Sequence, residues 1–383
     1  MIRVHTLVVG GGPAGSTAAR FLASRGIETL LVERDLSYVK PCGGAIPSYA
    51  LQELGIPAHV VRRQVGRIRI VPPRSEDLVI TFPEGHLCIT ERGTFDRVLR
   101  EMAAEAGAVI EESAFTGFEQ RDGTVVSLIR RRSTKETIRV RSDYVVACNG
   151  ITNSTGSSLA LRRRPMIYTM STHLAHTGGA ALPGYDAECC EFWFGADHAS
   201  NLYSWVFPSL DFASIGTGSP DAGQLGQLFE RFLRRRFGSR QAEVTAASLS
   251  PSPKVFPIPL WDRSVFSFGN ILFAGDAAGT VMPVTYEGIY YAMKSGELAA
   301  TAIAEGNPRI YRTLWDERFR RRFTVMRMIK GSFFKSERHI EKWVALHRKP
   351  EIQDLAIRLW LRKETGSRGL ATYVKAFRQI LAM

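Results

Sequence analysis

Apolar and polar positions along the first 35 residues follow the order of a strand, a tight turn, a helix and a second strand. The apolar run at residues 6–9 has strand length, the turn at residues 10–15 is rich in glycine, and residues 16–24 have helical spacing. A second apolar run follows at residues 28–32. The pattern predicts a strand–helix–strand unit at the start of an α/β domain.

Shorter elements follow as far as about residue 150. Helical spacing is present at residues 48–54 and 95–106, and Thr94 is placed to cap the second of these helices. Strands are predicted at residues 66–72, 78–82, 108–111 (extending towards residue 115), 125–131, 136–140 and 143–148. The strands at 125–131 and 136–140 are expected to form a hairpin or a meander.

The pattern changes between about residue 165 and residue 250. Aromatic-rich strands are predicted at residues 191–194, 202–207 and 212–216, followed by a helix at 224–237. Because strands and helices do not alternate here, we expect a mainly antiparallel sheet.

The α/β pattern returns in the last third of the chain. Residues 271–276 predict a strand, and residues 287–304 predict a long helix with little charge, which we expect to be buried. The remaining chain is helical and basic, with predicted breaks near Gly331, Pro350 and Gly366.

Positive charge is concentrated at the end of the chain. The 383 residues have a formal net charge of +13, and residues 306–383 alone contain 19 Lys and Arg against 7 Asp and Glu. The helical pattern there places apolar side chains between arginines, at Trp315, Phe319, Phe323 and Met326. This predicts an amphipathic helix that packs on the core or lies on a membrane surface, and nucleic acid is disfavoured because no recognition fold is visible.

Cellular location is indicated by what the sequence lacks. No apolar run reaches the roughly 20 residues that cross a bilayer, and the first strand begins too early to leave room for a signal peptide. The five cysteines show no metal-ligand spacing, so we expect free thiols and no structural metal. A cytoplasmic protein is expected, either free or peripheral on the cytoplasmic membrane face.

The glycine turn has the spacing of a dinucleotide-binding motif. Gly10 permits a tight turn, Gly12 lets a pyrophosphate approach the backbone, and Gly15 lets the helix pack closely on the strand. The N-terminus of the following helix favours phosphate, and Glu33 is positioned to bind a ribose hydroxyl. The alternative is an ordinary glycine-rich turn in an α/β protein.

A second nucleotide-binding segment lies about 260 residues later. Asp276 follows an apolar strand, where its carboxylate can bind a ribityl hydroxyl, although a role as a helix cap alone is the alternative. Gly288 begins the buried helix and can direct backbone N–H groups towards a flavin ring. Because an NAD site is completed within about 150 residues, the wide separation predicts FAD.

The predicted fold is therefore α/β: a Rossmann-type FAD-binding domain with an inserted, mainly antiparallel substrate domain and a helical C-terminal region. The FAD-binding domain is predicted in three parts, residues 1–60, 85–160 and 256–305. Substrate-domain strands are predicted at residues 61–84, the antiparallel substrate domain at 161–255, and the basic helical region at 306–383.

These motifs resemble the geranylgeranyl reductases, flavoproteins of the para-hydroxybenzoate hydroxylase-like fold. The chain is most similar to the branch that acts on the geranylgeranyl tail of chlorophyll or bacteriochlorophyll, or on the free diphosphate. The segments that carry the resemblance are residues 10–15, KPCGGAIP at 40–47, Arg92 with Phe95 and Asp96, YSWVFP at 203–208, GTG at 216–218, GDAAG at 275–279 and EGIY at 287–290. KPCGGAIP and YSWVFP together are specific, since aromatic hydroxylases share the FAD segments alone.

The resemblance implies a set of site residues. Arg92 would contact the flavin side of FAD, and residues 42–45 would line the isoalloxazine ring. The predicted cofactor-binding residues are Gly10, Gly12, Ala14, Gly15, Glu33, Arg34, Cys42, Gly43, Gly44, Ala45, Arg92, Ala114, Asp276, Gly288 and Ile289. The predicted substrate-binding residues are Tyr203, Trp205, Phe207, Pro208 and Tyr286, and their alternative is an aromatic strand that is plain core.

Two segments depart from the family pattern. Residues 148–154 read CNGITNS, so that Asn149 stands where the family has an aspartate. Residues 282–286 read MPVTY where the family has small residues. Both departures affect the expectation for substrate and electron donor, but they do not affect FAD binding.

The implied reaction is reduction of an isolated alkene by hydride and a proton. Positive charge would develop on the tertiary carbon, where aromatic faces stabilise it. The predicted catalytic residues are Cys42, Tyr203 and Trp205, although Cys42 has a turn-forming role as its alternative. Tyr286 is a further candidate proton donor. Electrons would come from NADPH or ferredoxin.

The implied substrate is geranylgeranyl diphosphate or a geranylgeranylated pigment or lipid. One rival hypothesis is a monooxygenase or halogenase of the same fold. Others are a reductase of another polyprenyl lipid, such as a quinone or an archaeal-type lipid, and a flavin-binding interaction protein without turnover.

Overall fold

Strand β1 (Ile2–Val9), helix α1 (Pro13–Ala23) and strand β2 (Thr29–Glu33) form the predicted strand–helix–strand unit. Helix α1 begins three residues earlier than the helical spacing suggests. Pro13 occupies its start, where a fixed φ and a missing N–H are tolerated.

The computed structural model describes residues 1–120, 124–175, 182–249, 252–262 and 266–363. The further strands in this part of the chain are β3 (Ala45–Pro47), β4 (Val61–Val65), β5 (Arg67–Val71), β6 (Leu78–Thr81), β7 (Leu87–Thr90), β8 (Val109–Gln120), β9 (Val125–Arg131), β10 (Thr137–Ala147), β11 (Met166–Ala175), β12 (Cys189–Trp193), β13 (Ser204–Pro208), β14 (Phe212–Ser219), β15 (Lys254–Pro259), β16 (Ser267–Phe268) and β17 (Ile271–Phe273). The further helices are α2 (Ser48–Glu53), α3 (Arg92–Glu105), α4 (Ser154–Ser158), α5 (Leu225–Phe237), α6 (Gln241–Ala246), α7 (Ile289–Ala304), α8 (Ile310–Trp315), α9 (Arg321–Phe333), α10 (Glu337–His347) and α11 (Pro350–Trp360).

The chain divides into two compact units. The first contains residues 1–40, 93–165 and 258–323, and the second contains residues 41–92, 166–257 and the chain from residue 324. The division into six segments that the sequence suggests stays a prediction.

The first unit is organised on a parallel sheet. β1 pairs in parallel with β2 and with β10, β2 pairs with β8, and β10 pairs with β17. β9 is antiparallel to both β8 and β10, and β16 is antiparallel to β17. The carboxyl ends of the parallel strands therefore meet at one edge, which is where α/β sheets bind nucleotides.

The expectation of two separate strands at 136–140 and 143–148 is wrong. β10 is one continuous strand, because residues 140–142 are paired on one side with β1 and on the other with β9. The polar residues that interrupt the apolar pattern do not interrupt this ladder.

The second unit is organised on a seven-stranded sheet with the order β15-β11-β14-β13-β12-β5-β6. Its described pairings are antiparallel except that of β12 with β5. The predicted mainly antiparallel sheet is thus confirmed. One face of the sheet packs on α5, and the core there includes Trp193, Val206 and Ile215 from the strands and Phe229 and Phe232 from the helix.

Of two local expectations near helix ends, one is wrong and one is confirmed. Thr94 does not precede α3, which begins at Arg92, so Thr94 lies in its first turn. The predicted break near Gly331 is present, because α9 ends at Phe333 and α10 begins at Glu337. The buried side chains of Ile329 and Phe333 keep the last turn of α9 helical despite the glycine.

The remaining expectations for the C-terminal region have mixed outcomes. A boundary is present at Pro350, which begins α11 in the favourable first position. Gly366 lies outside the described residues. α8 is joined to α9 by one π-helical turn at Asp316–Arg320. Among the described residues, no helix has the length and apolar character needed to cross a membrane.

Candidate functional site

The glycine turn connects β1 with α1 at the carboxyl edge of the parallel sheet. A Cβ on Gly15 would overlap the carbonyl oxygen of Gly10, so the close approach of helix and turn requires glycine there. A Cβ on Gly12 would meet no protein atom within 4 Å. The space above Gly12 is therefore open, as a bound pyrophosphate requires.

The N-terminus of α1 fits an anion. Pro13 has no N–H, and the first amide of the helix with an internal partner is that of Ser16, which donates to the Gly12 carbonyl at 3.0 Å. The amides of Ala14 and Gly15 precede it in the first turn, where the helix leaves N–H groups for a ligand. These features fit the diphosphate of FAD.

The Glu33 carboxylate is fixed beside this turn. Its Oε2 accepts from the Gly11 N–H at 2.7 Å, and its Oε1 accepts from the Asp35 N–H at 3.2 Å. Arg34 follows, with its guanidinium over the Tyr38 ring at 5.9 Å. Ala114 lies on β8, two residues beyond the partner of Glu33 in the sheet, and it is half-buried.

The second predicted nucleotide segment lies within the same unit. The Asp276 carboxylate, which was expected to bind a ribityl hydroxyl, accepts from Lys40 Nζ at 2.5 Å. Its side chain is 11% exposed. Gly288 is the residue before α7, and a Cβ there would lie 3.9 Å from Asp276 Oδ1. The structure thus brings Asp276, Gly288 and the start of α7 at Ile289 together.

The backbone before α7 is strained. Val284 and Tyr286 have φ angles of +78° and +55°, in the left-handed region that side chains disfavour. The Met282 N–H donates to Glu287 O at 3.0 Å and the Tyr286 N–H to Met282 O at 3.0 Å, which closes this loop. The MPVTY departure from the family pattern therefore coincides with an unusual loop conformation.

Asn149 keeps a role that a carboxylate would have. In the side-chain amide orientation that satisfies its neighbours, the Asn149 oxygen accepts from the backbone N–H groups of Ser154 at 3.1 Å and Thr155 at 3.0 Å, at the start of α4. An aspartate would accept the same two bonds, so this departure preserves the local structure.

Three basic residues for which the sequence predicts no individual role support these segments. They are Lys40, Arg100 and Arg164. Arg100 donates to the carbonyls of Gly11 at 3.3 Å and Leu36 at 2.9 Å. Arg164 is ion-paired to Asp262 at 2.7 Å and donates to Ala277 O at 3.3 Å. Burial lowers the pKa of Arg164. For Lys40, its position next to the Pro-Cys-Gly-Gly loop was a signal in the sequence that could have indicated this role; Arg100 and Arg164 had no such signal.

In the second unit, the Pro-Cys-Gly-Gly loop lies against the aromatic strand. A Cβ on Gly43 would lie 2.7 Å from the ring of Phe207 and 3.5 Å from Trp205 Nε1. Gly44 has a φ of +75°, and its carbonyl accepts from the Thr90 N–H at 2.9 Å. The partly exposed Cys42 accepts from the Gly44 N–H at its Sγ, 3.4 Å away, and Ala45 begins β3.

The predicted aromatic residues share the sheet face opposite α5. Because side chains alternate along a strand, Trp205 and Phe207 point away from Val206, which belongs to the α5 core. Their ring centroids are 6.3 Å apart, and Tyr203 is 6.3 Å from Trp205. A Cβ on Gly216, the partner of Trp205 on β14, would overlap the indole. Glycine at this position therefore gives Trp205 its place.

The other predicted residues lie at the ends of elements or in the loop before α7. Arg92 is 6% exposed at the start of α3, and Pro208 is buried at the end of β13. Tyr286 is half-buried in the strained loop before α7. Within the second unit, the structure brings together Cys42, Gly43, Trp205 and Phe207; Tyr286 belongs to the first unit.

The chain is similar to known proteins over most of its length. Residues 3–306 match the family described as FAD binding domain. A geranylgeranyl diphosphate reductase of Rhodobacter capsulatus is 28% identical to this chain, covering 95% of it and 93% of the relative. A digeranylgeranylglycerophospholipid reductase of Methanocaldococcus jannaschii is 28% identical over 82% of each protein. The crystal structure of a geranylgeranyl bacteriochlorophyll reductase-like protein from Thermoplasma acidophilum superposes with a TM-score of 0.82 at 24% identity, covering 98% of this chain and all of that one.

The chain belongs to the FAD-binding domain family. This membership supports FAD as the cofactor, and the predicted fold class is confirmed. The resemblance to geranylgeranyl reductases is also confirmed, because such relatives match nearly the whole chain.

Proposed function

We propose that this protein is an FAD-dependent reductase that saturates C=C bonds of a geranylgeranyl group to give a phytyl-type chain. The observation that carries the proposal is the contact of Gly43 with Phe207 and Trp205. It joins the loop and the aromatic strand on which the resemblance to geranylgeranyl reductases rests. The carrier of the prenyl group is geranylgeranyl diphosphate or a geranylgeranylated pigment of the chlorophyll type.

Within the first unit, FAD would be held at its diphosphate by the open turn at Gly12 and the N-terminus of α1, and at its ring by the amides at Gly288 and Ile289. The chemistry that FAD supplies when bound is delivery of hydride, with electrons from NADPH or ferredoxin. Lys40 and Asp276 would orient the segments around it, since their ion pair joins residues 236 positions apart.

The aromatic face would bind the prenyl chain. Trp205 and Phe207 are each 6% exposed, and their apolar surface would exclude water from the alkene. Their π faces would stabilise positive charge on the tertiary carbon, an interaction worth about 2 kcal/mol at a desolvated site. The Tyr203 hydroxyl or the Cys42 thiol would hold the proton that reaches the second carbon.

Anaerobic turnover tests this proposal. FAD-loaded protein is reduced chemically and mixed with geranylgeranyl diphosphate, a geranylgeranylated bacteriochlorophyll or digeranylgeranylglycerophospholipid in separate reactions. A gain of hydrogen pairs by mass spectrometry supports the proposal, and the arm with product identifies the carrier. Products that gain oxygen or halogen in air would instead indicate a monooxygenase or halogenase. Reduced flavin that stays reduced with every prenyl compound would refute turnover.

A matched pair of variants tests the aromatic face. Phe207→Leu should lower kcat/KM by roughly 30-fold, the equivalent of about 2 kcal/mol of lost π interaction. Phe229→Leu removes the same ring from the opposite face of the sheet, where it packs in the α5 core. It should lower stability while kcat/KM stays unchanged. Equal effects of the two variants on kcat/KM would count against a role for this face.

Peripheral membrane contact is part of the proposal, because a prenyl-bearing pigment or lipid resides in a membrane. The exposed side of the π-turn and α9 carries Arg320, Arg321, Arg327 and Met328, and Met328 is 54% exposed. Basic side chains beside an apolar one favour an anionic lipid surface. The fraction of protein that sediments with phosphatidylserine vesicles should be lower for Met328→Asp than for the wild type. If the wild-type protein binds neutral vesicles equally well, the arginines do not contribute to membrane binding by charge attraction.

A further inference from the structure

The aromatic face does not end at Tyr203. Phe194, one residue past β12, has its ring centroid 5.9 Å from that of Tyr203. On its other side it is 5.1 Å from Phe333, near the end of α9. From Phe207 through Trp205 and Tyr203 to Phe194 and Phe333, the row takes four steps of 5.1–6.3 Å.

The row is closed at Phe333. Behind it lies Trp343 of α10, 5.9 Å away and 2% exposed, and His347 stacks on Trp343 at 5.8 Å. Phe333 itself is 8% exposed, close to the 6% of Trp205 and Phe207 at the other end of the row. Between these ends, Phe192, Phe194 and Tyr203 are half-buried and leave ring surface accessible. Because Trp343 and His347 are packed behind Phe333, a chain lying along the row would meet packed core when it reached that ring.

This end is held in place by polar contacts within the second unit. Glu337 of α10 pairs with Arg74 at 3.0 Å, and Glu341 accepts from the Arg74 N–H at 2.7 Å. Arg348 donates to the Glu76 carbonyl. These contacts join α10 to the connection between β5 and β6 of the same sheet, so that the closed end does not depend on Phe333 alone.

We infer that Phe333, supported by Phe194, sets the maximum length of the isoprenoid chain that the protein accepts. The inference rests on the proposed function, because it takes the aromatic face as the prenyl site and the end at Gly43 as the reacting end. Four steps of aromatic spacing correspond to a chain of about four isoprene units, each of which extends roughly 5 Å. A fifth unit would have to displace the Phe333 ring, and buried side chains resist such displacement.

The test compares prenyl diphosphates of three, four and five isoprene units. Binding is followed by quenching of tryptophan fluorescence in the FAD-loaded protein, and turnover by mass spectrometry. The wild-type protein should prefer the four-unit chain over the five-unit chain by about tenfold or more, since one misplaced methylene already costs that factor. Phe333→Ala should remove most of this preference in both binding and kcat/KM. It should leave affinity for the three-unit chain nearly unchanged.

Controls separate a length effect from loss of structure. Phe323→Ala removes a ring from the same helix, where it packs on Trp261 and Trp315 of the first unit, and should leave the length preference unchanged. Phe333→Leu replaces Phe333→Ala if the alanine variant unfolds, and it should give an intermediate preference.

The outcomes distinguish the two hypotheses. If the wild-type protein neither binds nor reduces any prenyl diphosphate or lipid, the proposed function fails. If it reduces the four-unit chain while folded Phe333 variants keep the wild-type length preference, the inference about Phe333 fails and the proposed function stands.

Discussion

The open space above Gly12 leads to a prediction that separates cofactor binding from folding. Gly12 has φ −79° and ψ −172°, an extended conformation that alanine adopts without strain, also before a proline. A Cβ at this position would contact no protein atom within 4 Å. The Gly12→Ala substitution should therefore leave the apoprotein folded, while placing a methyl group where the FAD diphosphate is expected to approach the backbone.

The size of both effects can be estimated. Replacing glycine by alanine at a compatible position reduces the entropy of the unfolded chain, so the free energy of unfolding of the apoprotein should rise by about 0.4–1 kcal/mol. Loss of one hydrogen bond between an amide and a charged phosphate costs about 1.5–3 kcal/mol. The affinity for FAD should therefore fall by roughly 10- to 150-fold.

The assay combines FAD titration, followed by flavin fluorescence, with urea unfolding of the apoprotein. Gly15→Ala is the matched comparison, because its Cβ would overlap the Gly10 carbonyl and should destabilise the apoprotein itself. An apoprotein with Gly12→Ala that binds FAD as tightly as the wild type would refute the assignment of this turn to the diphosphate. If Gly12→Ala destabilises the apoprotein as much as Gly15→Ala does, the conclusion that the space above Gly12 is free of protein atoms is wrong.

Three further predictions concern stability. Burial lowers the pKa of His198 to about 4, so that between pH 6.5 and 4 the unfolded chain binds more protons. The free energy of unfolding should thus fall as the pH decreases through this window, by up to about 3 kcal/mol, and His198→Asn should reduce the slope in urea unfolding. Arg236 is paired to the buried Glu191 at 2.7 Å, and Arg236→Met should cost about 3–5 kcal/mol, whereas the double variant with Glu191→Leu should restore most of that in a double-mutant cycle. Val284→Gly should raise the melting temperature, because relief of about 1–2 kcal/mol of left-handed strain exceeds the entropy cost of glycine; a lower melting temperature would show that the φ of +78° is not strained.

The sequence predicts local structure well where one periodic pattern determines it. The first strand–helix–strand unit and α5 were predictable because their apolar residues recur at a single period. Short strands such as β3 and β7 were missed, since three or four residues carry no detectable alternation. The break near Gly331 was predictable to within two residues, and α9 continues past the glycine to Phe333 because tertiary packing outweighs the modest helix penalty of one glycine.

The contacts that organise the nucleotide-binding segments were harder to predict from the sequence. Lys40 and Asp276 are 236 residues apart, and Arg164 and Ala277 are 113 residues apart. No periodicity relates such positions, so their pairing is defined by the fold alone. The partnership of Asp276 with a lysine was therefore not foreseen, although its place after an apolar strand was.

Glycines explain why the motifs PCGG, YSWVFP and GTG lie in contact with one another. Gly43 and Gly216 each lack the Cβ that would collide with the aromatic rings beside them: Phe207 for Gly43, and Trp205 for Gly216. A large ring on one segment thus requires a glycine on the segment that it covers. The sequence motifs PCGG, YSWVFP and GTG are therefore parts of one packing arrangement rather than independent signatures. Their joint presence predicts proximity in space, whereas any one of them alone would be compatible with an ordinary turn or an aromatic core strand.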